Sequence, residues 1–235
     1  IEQISNCFLV QLRLAMVSVE AEGKLASMLA YATHTTGVVL RAYDSKIFRN
    51  DENKIFVHTV AKTKGIIEII GNEKVLSVVG AKQETECTAN DETKELLIEA
   101  SYINPDTLVE AVATTSLKTD ELYYKTSRGS NPDLSFGLSF LASMMDNYTD
   151  ISCYEGSLNV SVEKEHETVI IDAKEISAII GMDVEIGKIV TILQKLGFEI
   201  NSMGHDLIAA VVPHFRHDIR HLQDIAEEIV RIVGI

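Results

Sequence analysis

The chain has 235 residues, 46% hydrophobic and 6% aromatic with no tryptophan, which fits one large or two modest packed domains with an aliphatic core. No apolar run approaches the ~20 residues of a membrane span, and three scattered cysteines (Cys7, Cys87, Cys153) without a CxxC pair indicate neither a disulfide framework nor a zinc knuckle, so a reducing cytoplasm is expected. A formal net charge of −14 repels phosphates and excludes broad, non-specific nucleic-acid binding.

The opening residues, IEQISNCFLVQLRLAMV, have neither an initiator methionine nor a signal-peptide layout and read as the beginning of a fragment. From Phe8 to Val19 a loose alternation (Leu9, Gln11, Leu12, Arg13, Leu14) predicts a strand. Glu22 to Thr33 carries Leu25, Met28, Leu29 and Ala32 on one side, a helix that Thr35-Thr36-Gly37 stops. Val38 to Leu40 opens a buried strand, followed by Arg41-Ala42-Tyr43-Asp44. Lys54 to Val60, Gly65 to Ile70 and Val75 to Val79 are predicted strands, with a turn at Gly71-Asn72-Glu73. The run 91–108, DETKELLIEASYINPDTL, reads as a strand ended by Pro105, with a helix over Asp106 to Ala113. Asn131-Pro132 opens a last helix through Met145. The polar stretch from Asn147 to Ser157 is the expected linker.

Beyond it, Thr168 to Ile171 predicts a strand, Ala173 to Ile180 a helix stopped by Gly181, and Ile186 to Leu196 another stopped by Gly197. A short strand pair surrounds Gly204. From Leu222 the chain reads as a helix, with Leu222, Ile225, Ala226, Ile229, Ile232 and Val233 on one apolar face. Asp224, Glu227 and Glu228 fall within an arc of about 100° on the opposite face. Asp218, just upstream, is able to fold back toward them. Four carboxylates in one place require a cation or an arginine among them, and Mg²⁺ favours such carboxylate oxygens. The plainer alternative is a solvated acidic face, with Glu227 and Arg231 an i,i+4 pair and Asp218 an N-cap. His214, His217 and His221 form HxxHxxxH, a spacing that could suggest zinc. With no cysteine nearby they are read as a surface cluster.

Several of these stretches share their wording with one family. VPHFRHDIRHLQDIAEEIVRIVG (212–234), GVVLRAYD (37–44), DETKELLIEASYINPDTL (91–108) and TTSLKTDELYYKTSRG (114–129) resemble, in turn, VPSxRxDI…DLxEExxRxxGY, GQPLHAFD, DETKNILLESAYFDPxxI and GLRTEASYRFERG. Those are motifs of the β subunit of bacterial phenylalanyl-tRNA synthetase. The resemblance implies an α+β fold: a mixed-sheet editing-type domain with flanking helices over 1–148, then a small winged-helix-like module over 158–235.

It further implies that Asp218, Asp224, Glu227 and Glu228 help hold a Mg²⁺ shared with the α subunit, braced by Arg216. The implied partners are that α subunit, in a heterotetramer of two α and two β, and tRNA(Phe) through the full complex, with no membrane and in the cytoplasm. ATP is used by the complex and not bound here. Aminoacylation belongs to α, so the chain alone is expected to have no ligase activity and no catalytic residue for it.

The resemblance also implies a pocket that edits Tyr-tRNA(Phe), formed by Arg41, Gln83, Glu99, Thr119 and Glu121. Glu99 matches the glutamate that recognises the hydroxyl of a wrongly attached tyrosine, and a polar group of that kind selects strongly. Thr119 keeps the family's threonine. Arg41 replaces a histidine, Gln83 a glycine of the GGxxGGE loop, and Glu121 an alanine. An Arg41–Glu99 or Arg41–Glu121 ion pair is expected to fill the pocket and leave editing degenerate. The competing class is a stand-alone editing-fold module that binds RNA or a partner without synthetase activity. The second domain and its acids speak against it.

Overall fold

Cys7, Val10 and Leu14 lie three and four residues apart, and that spacing prevails over the loose alternation around it. Phe8–Met16 is therefore a helix (α1), not the expected strand, with Val10 and Leu14 buried. This computed structural model describes all residues except 1–3, 6, 53, 129–130, 155, 161–165, 205–206, 214 and 235. The chain divides into two compact units, 1–160 and 161–235.

In the first unit the elements after α1 are α2 (Lys24–Thr36), β1 (Val39–Asp44), β2 (Val57–Ala61), β3 (Ile67–Gly71), β4 (Lys74–Val78), β5 (Lys82–Gln83), β6 (Leu96–Ser101), α3 (Pro105–Thr115), α4 (Tyr123–Ser127) and α5 (Leu134–Tyr148). Asp91 accepts the Lys24 and Leu25 amides at 2.9 and 2.8 Å, supplying from far along the chain the cap that Gly23 lacks at the start of α2. Gly37 closes that helix in the left-handed conformation. Asn104 caps α3, and Pro105 stands in its first turn, where a missing N–H costs nothing.

The α+β class expected from the sequence holds, but the described pairings are all antiparallel rather than mixed. β1 pairs with β6, and β2, β3, β4 and β5 form a meander. In the meander, short turns between consecutive strands dictate this, since a parallel pair needs a long crossover. At the β3–β4 turn Asn72 and Glu73 take φ of 44° and 73°, the left-handed pair that a tight hairpin requires. One core group joins α1, α2, β1 and α5 through Leu14, Leu25, Met28, Leu40, Leu141 and Met145. There α5 lies so close that a Cβ on Gly137 would stand 2.5 Å from Val38. Another gathers Tyr43, Phe48, Leu76 and Cys87 where β1 approaches β4.

The second unit contains β7 (Thr168–Asp172), α6 (Ala173–Ile180), α7 (Ile186–Lys195), β8 (Glu199–Gly204), β9 (Leu207–Val211) and α8 (Leu222–Val233). Its sheet runs β7–β9–β8, again antiparallel. Ile171, Ile176, Ile189, Leu193, Ile208, Ile225 and Ile229 close one aliphatic core between the sheet and the three helices. That core fixes which face of α8 points outward.

Candidate functional site

The β1–β6 register sets Arg41 opposite Glu99, and the strand period places Tyr43 on the same face as Arg41. Glu99 is only 7% exposed. Its carboxylate accepts from three hydroxyls: Tyr43 on β1, Ser77 on β4 at 2.7 Å, and Ser101 on β6. Tyr43 is completely buried. Burial first, then the neighbouring Glu99 charge, holds its phenol well above the ordinary value.

Arg41 pairs with neither acid expected of it. Its guanidinium donates to Asp120 at 2.5 and 3.3 Å, because Glu99 is already surrounded by hydroxyl donors. Among the described residues the Arg41 Nε has no partner. Asp120 also accepts the Gln83 and Leu122 amides, each at 2.9 Å. The Gln83 side chain donates to the Ala42 carbonyl at 2.7 Å and ties β5 to β1. So the structure gathers Arg41, Gln83 and Glu99 on the β1 side of the unit, the first two joined through Asp120. Thr119 and Glu121 are exposed beside it. Two cavities among the described residues, one over 173–186 and one bordered by Val39, Ser101 and Thr126, are lined by none of these five residues.

Sequence reading missed Tyr43, Ser77, Ser101 and Asp120. Tyr43 had a signal, the tyrosine of RAYD where HAFD has phenylalanine. Asp120 had none, being 79 residues from Arg41.

The acidic helix is organised differently. His221 is the N-cap of α8. Asp224 accepts the Arg220 and His221 amides, both at 2.8 Å, and those two bonds lower its pKa. Arg216 grips Asp218 with two bonds, at 2.9 and 2.8 Å, and reaches Glu228 at 2.9 Å. The Arg216 hydrogen bonds pull Asp218 down to about 2 and also lower Glu228. In turn Asp218, then Glu228, raise the Arg216 guanidinium.

Asp218 is therefore an arginine ligand, not the N-cap. Arg231 bonds Glu228 at 2.7 Å, three residues back, rather than Glu227. Glu228 lies 8% exposed at the edge of the core, whereas Glu227 is exposed. His217 and His221 are exposed, and His214 lies outside the described residues.

The fit to Mg²⁺ follows from these contacts. Asp218 and Glu228 are engaged by arginines and Asp224 by the helix N-terminus. Among the described residues no group of three or more His, Cys, Asp or Glu is arranged to hold a metal ion. As placed in this chain, the four acids do not form a site for it.

Residues 169–235, which end in this braced helix, match the family model described as the tRNA synthetase B5 domain. That places this segment with the components that carry a tRNA synthetase B5 domain. Almost the whole chain is similar to one such component, the phenylalanine–tRNA ligase β subunit. Identity is 36% over 229 residues with that of Sulfurimonas denitrificans, covering 97% of this chain and 29% of the relative. It is 33% over 234 residues with that of Campylobacter jejuni, covering 100% and 30%, and 33% with that of Wolinella succinogenes, covering 96% and 30%. The chain belongs to the phenylalanine–tRNA ligase β-subunit family and spans less than a third of these relatives' length.

Proposed function

We propose that this chain acts within a phenylalanine–tRNA ligase, as part of its β subunit, and supports attachment of phenylalanine to tRNA(Phe) by the α subunit. What carries the reading is the match along nearly the whole chain, together with a B5 domain whose acidic helix is folded. The complex is a cytoplasmic heterotetramer of two α and two β that consumes ATP and binds tRNA(Phe). Among the described residues no helix is long and apolar enough to cross a membrane.

Among the described residues no group of acids is arranged to hold magnesium by itself. A shared ion would depend on ligands from α, with the exposed Glu227 the acid left open to it. The test is tRNA charging with the complete subunit: Phe-tRNA should form only when α and β are present together. Equal charging by α without β, or failure of the two to co-purify, overturns the reading.

Proofreading is not part of the proposed activity. Arg41, Gln83 and Glu99 are tied to the protein itself. Losing one positioned group costs on the order of a hundredfold in rate, and several together abolish turnover. Deacylation of preformed Tyr-tRNA(Phe) by the αβ enzyme should match the uncatalysed rate. Fast deacylation that collapses on Glu99→Ala would show a working pocket.

A further inference from the structure

Glu99 is a buried carboxylate served by neutral hydroxyls from three strands. The nearest cation in register, Arg41, donates to Asp120 instead. A buried acceptor of this kind discriminates strongly for a hydroxyl over its absence, because an unpaired acceptor is costly. The position facing it is built for a phenol. Phe48, Leu76 and Cys87 form one buried apolar cluster with Tyr43, and the Glu99 carboxylate stands at its hydroxyl end. The occupant is the chain's own Tyr43, which is completely buried.

We propose that Tyr43 is a resident ligand, filling in cis the phenol-recognition position at Glu99 and closing it to any tyrosyl group from outside. The consequence for proofreading rests on the function proposed above; the occupancy of Glu99 does not. Removing the Tyr43 ring should uncover a phenol-shaped hole, since apolar cavities cut into cores stay open and take up aromatic molecules of matching size.

The experiment uses the complete β subunit in its αβ complex, with 4-methylphenol (the tyrosine side chain) and toluene (the same molecule without the hydroxyl) as probes in ligand-observed NMR titrations. The unmodified complex should bind neither at Glu99. Tyr43→Gly should bind 4-methylphenol at least about tenfold more tightly than toluene, and Tyr43→Gly with Glu99→Met should lose that preference. Equal affinity for the two probes in Tyr43→Gly overturns the proposal. So does Glu99-dependent binding of 4-methylphenol to the unmodified complex.

Should Tyr43→Gly not fold, Tyr43→Phe and Glu99→Gln are combined in a double-mutant cycle of urea unfolding. Non-additive costs support the occupancy, and additive costs overturn it. Phe-tRNA formation by the unmodified complex is measured alongside. Charging without the probe preference sinks this assignment alone, and the preference without charging sinks only the synthetase reading.

Discussion

Two clusters of charge, one in each unit, answer the same electrostatic demand in opposite surroundings. Around Arg41 the pair is sunk in protein: the Arg41 side chain is 1% exposed and that of Asp120 26%. Around Arg216 the pair reaches water, with side-chain exposures of 17% for Arg216 and 55% for Asp218. Distances are similar, so geometry does not rank them. Desolvation does. A buried charge stripped of its partner has no water to turn to, whereas an exposed one is rehydrated and screened. Short ion pairs in this chain therefore carry very different weight, and the first unit's pair is the one its fold depends on.

The sharpest way to break that comparison is to remove one acid from each cluster. Asp120→Ala leaves Arg41 buried and unpaired and also orphans the Gln83 and Leu122 amides. It should destabilise the first unit by about 3–5 kcal/mol in urea unfolding. Asp218→Ala, in the screened cluster, should cost the second unit no more than about 1 kcal/mol. Comparable losses would mean that burial does not separate the two.

Glu99→Ala comes next. It leaves three hydroxyls without their acceptor, two of them, on Tyr43 and Ser77, in fully buried residues. The expected cost is about 2–3 kcal/mol, less than for Asp120 because no full charge is stranded. A cost near zero would mean that the network does not hold β1, β4 and β6 together.

The same contrast explains what the sequence could disclose. In the second unit the partners are near in sequence: Arg216 meets Asp218 two residues on and Glu228 twelve residues on. Helical period alone put Glu228 beside the other acids, so bracing by Arg216 could be read from the wording of the motif. The period could not say that Glu228 sits at the core edge, which made Arg231 choose it over Glu227. In the first unit Tyr43 and Glu99 are 56 residues apart, and Arg41 and Asp120 79. Only the β1–β6 register brings them together, and no local pattern encodes a register between strands so distant. Hence the strands were largely legible while the ion pair was assigned to the wrong acids. Helix α1 failed for a third reason. Its exposed Phe8, Leu9, Leu12 and Met16 obscured the three-and-four spacing of its buried side.

A smaller effect sharpens the second cluster through pH. Asp218, Asp224 and Glu228 all have lowered pKa values in the folded chain. Groups depressed in this way add stability above their ordinary values of 3.8 and 4.5, and that stability is lost as pH falls toward the about 2 of Asp218. The melting temperature of the second unit should therefore decline between those limits. Asp218→Asn should flatten part of the decline, and about 0.5 M salt should flatten more of it, because the cluster is exposed enough to be screened. A salt-independent acid transition would place the titrating groups elsewhere.

The smallest effect expected on the chain itself is at Glu227, and for that reason it is the most informative about the partner. Glu227 is exposed on α8 beside Glu228 and has no hydrogen bond or ion pair among the described residues. Glu227→Gln removes a charge and keeps the shape, so the second unit's stability should change by less than about 0.5 kcal/mol. Glu228→Gln weakens two arginine contacts at once and should cost more. The order should reverse when α is present. An acid unused by its own chain can serve an ion or a cation supplied across an interface, whereas one already held by two arginines has less to offer. Glu227→Gln should then weaken α–β association, or make it less dependent on Mg²⁺, by more than Glu228→Gln does. This is measured as the α–β dissociation constant with and without Mg²⁺. If Glu227→Gln leaves stability, association and magnesium dependence all unchanged, Glu227 is only solvated surface, and the proposed shared ion loses the acid that, of the four, is left open to it among the described residues.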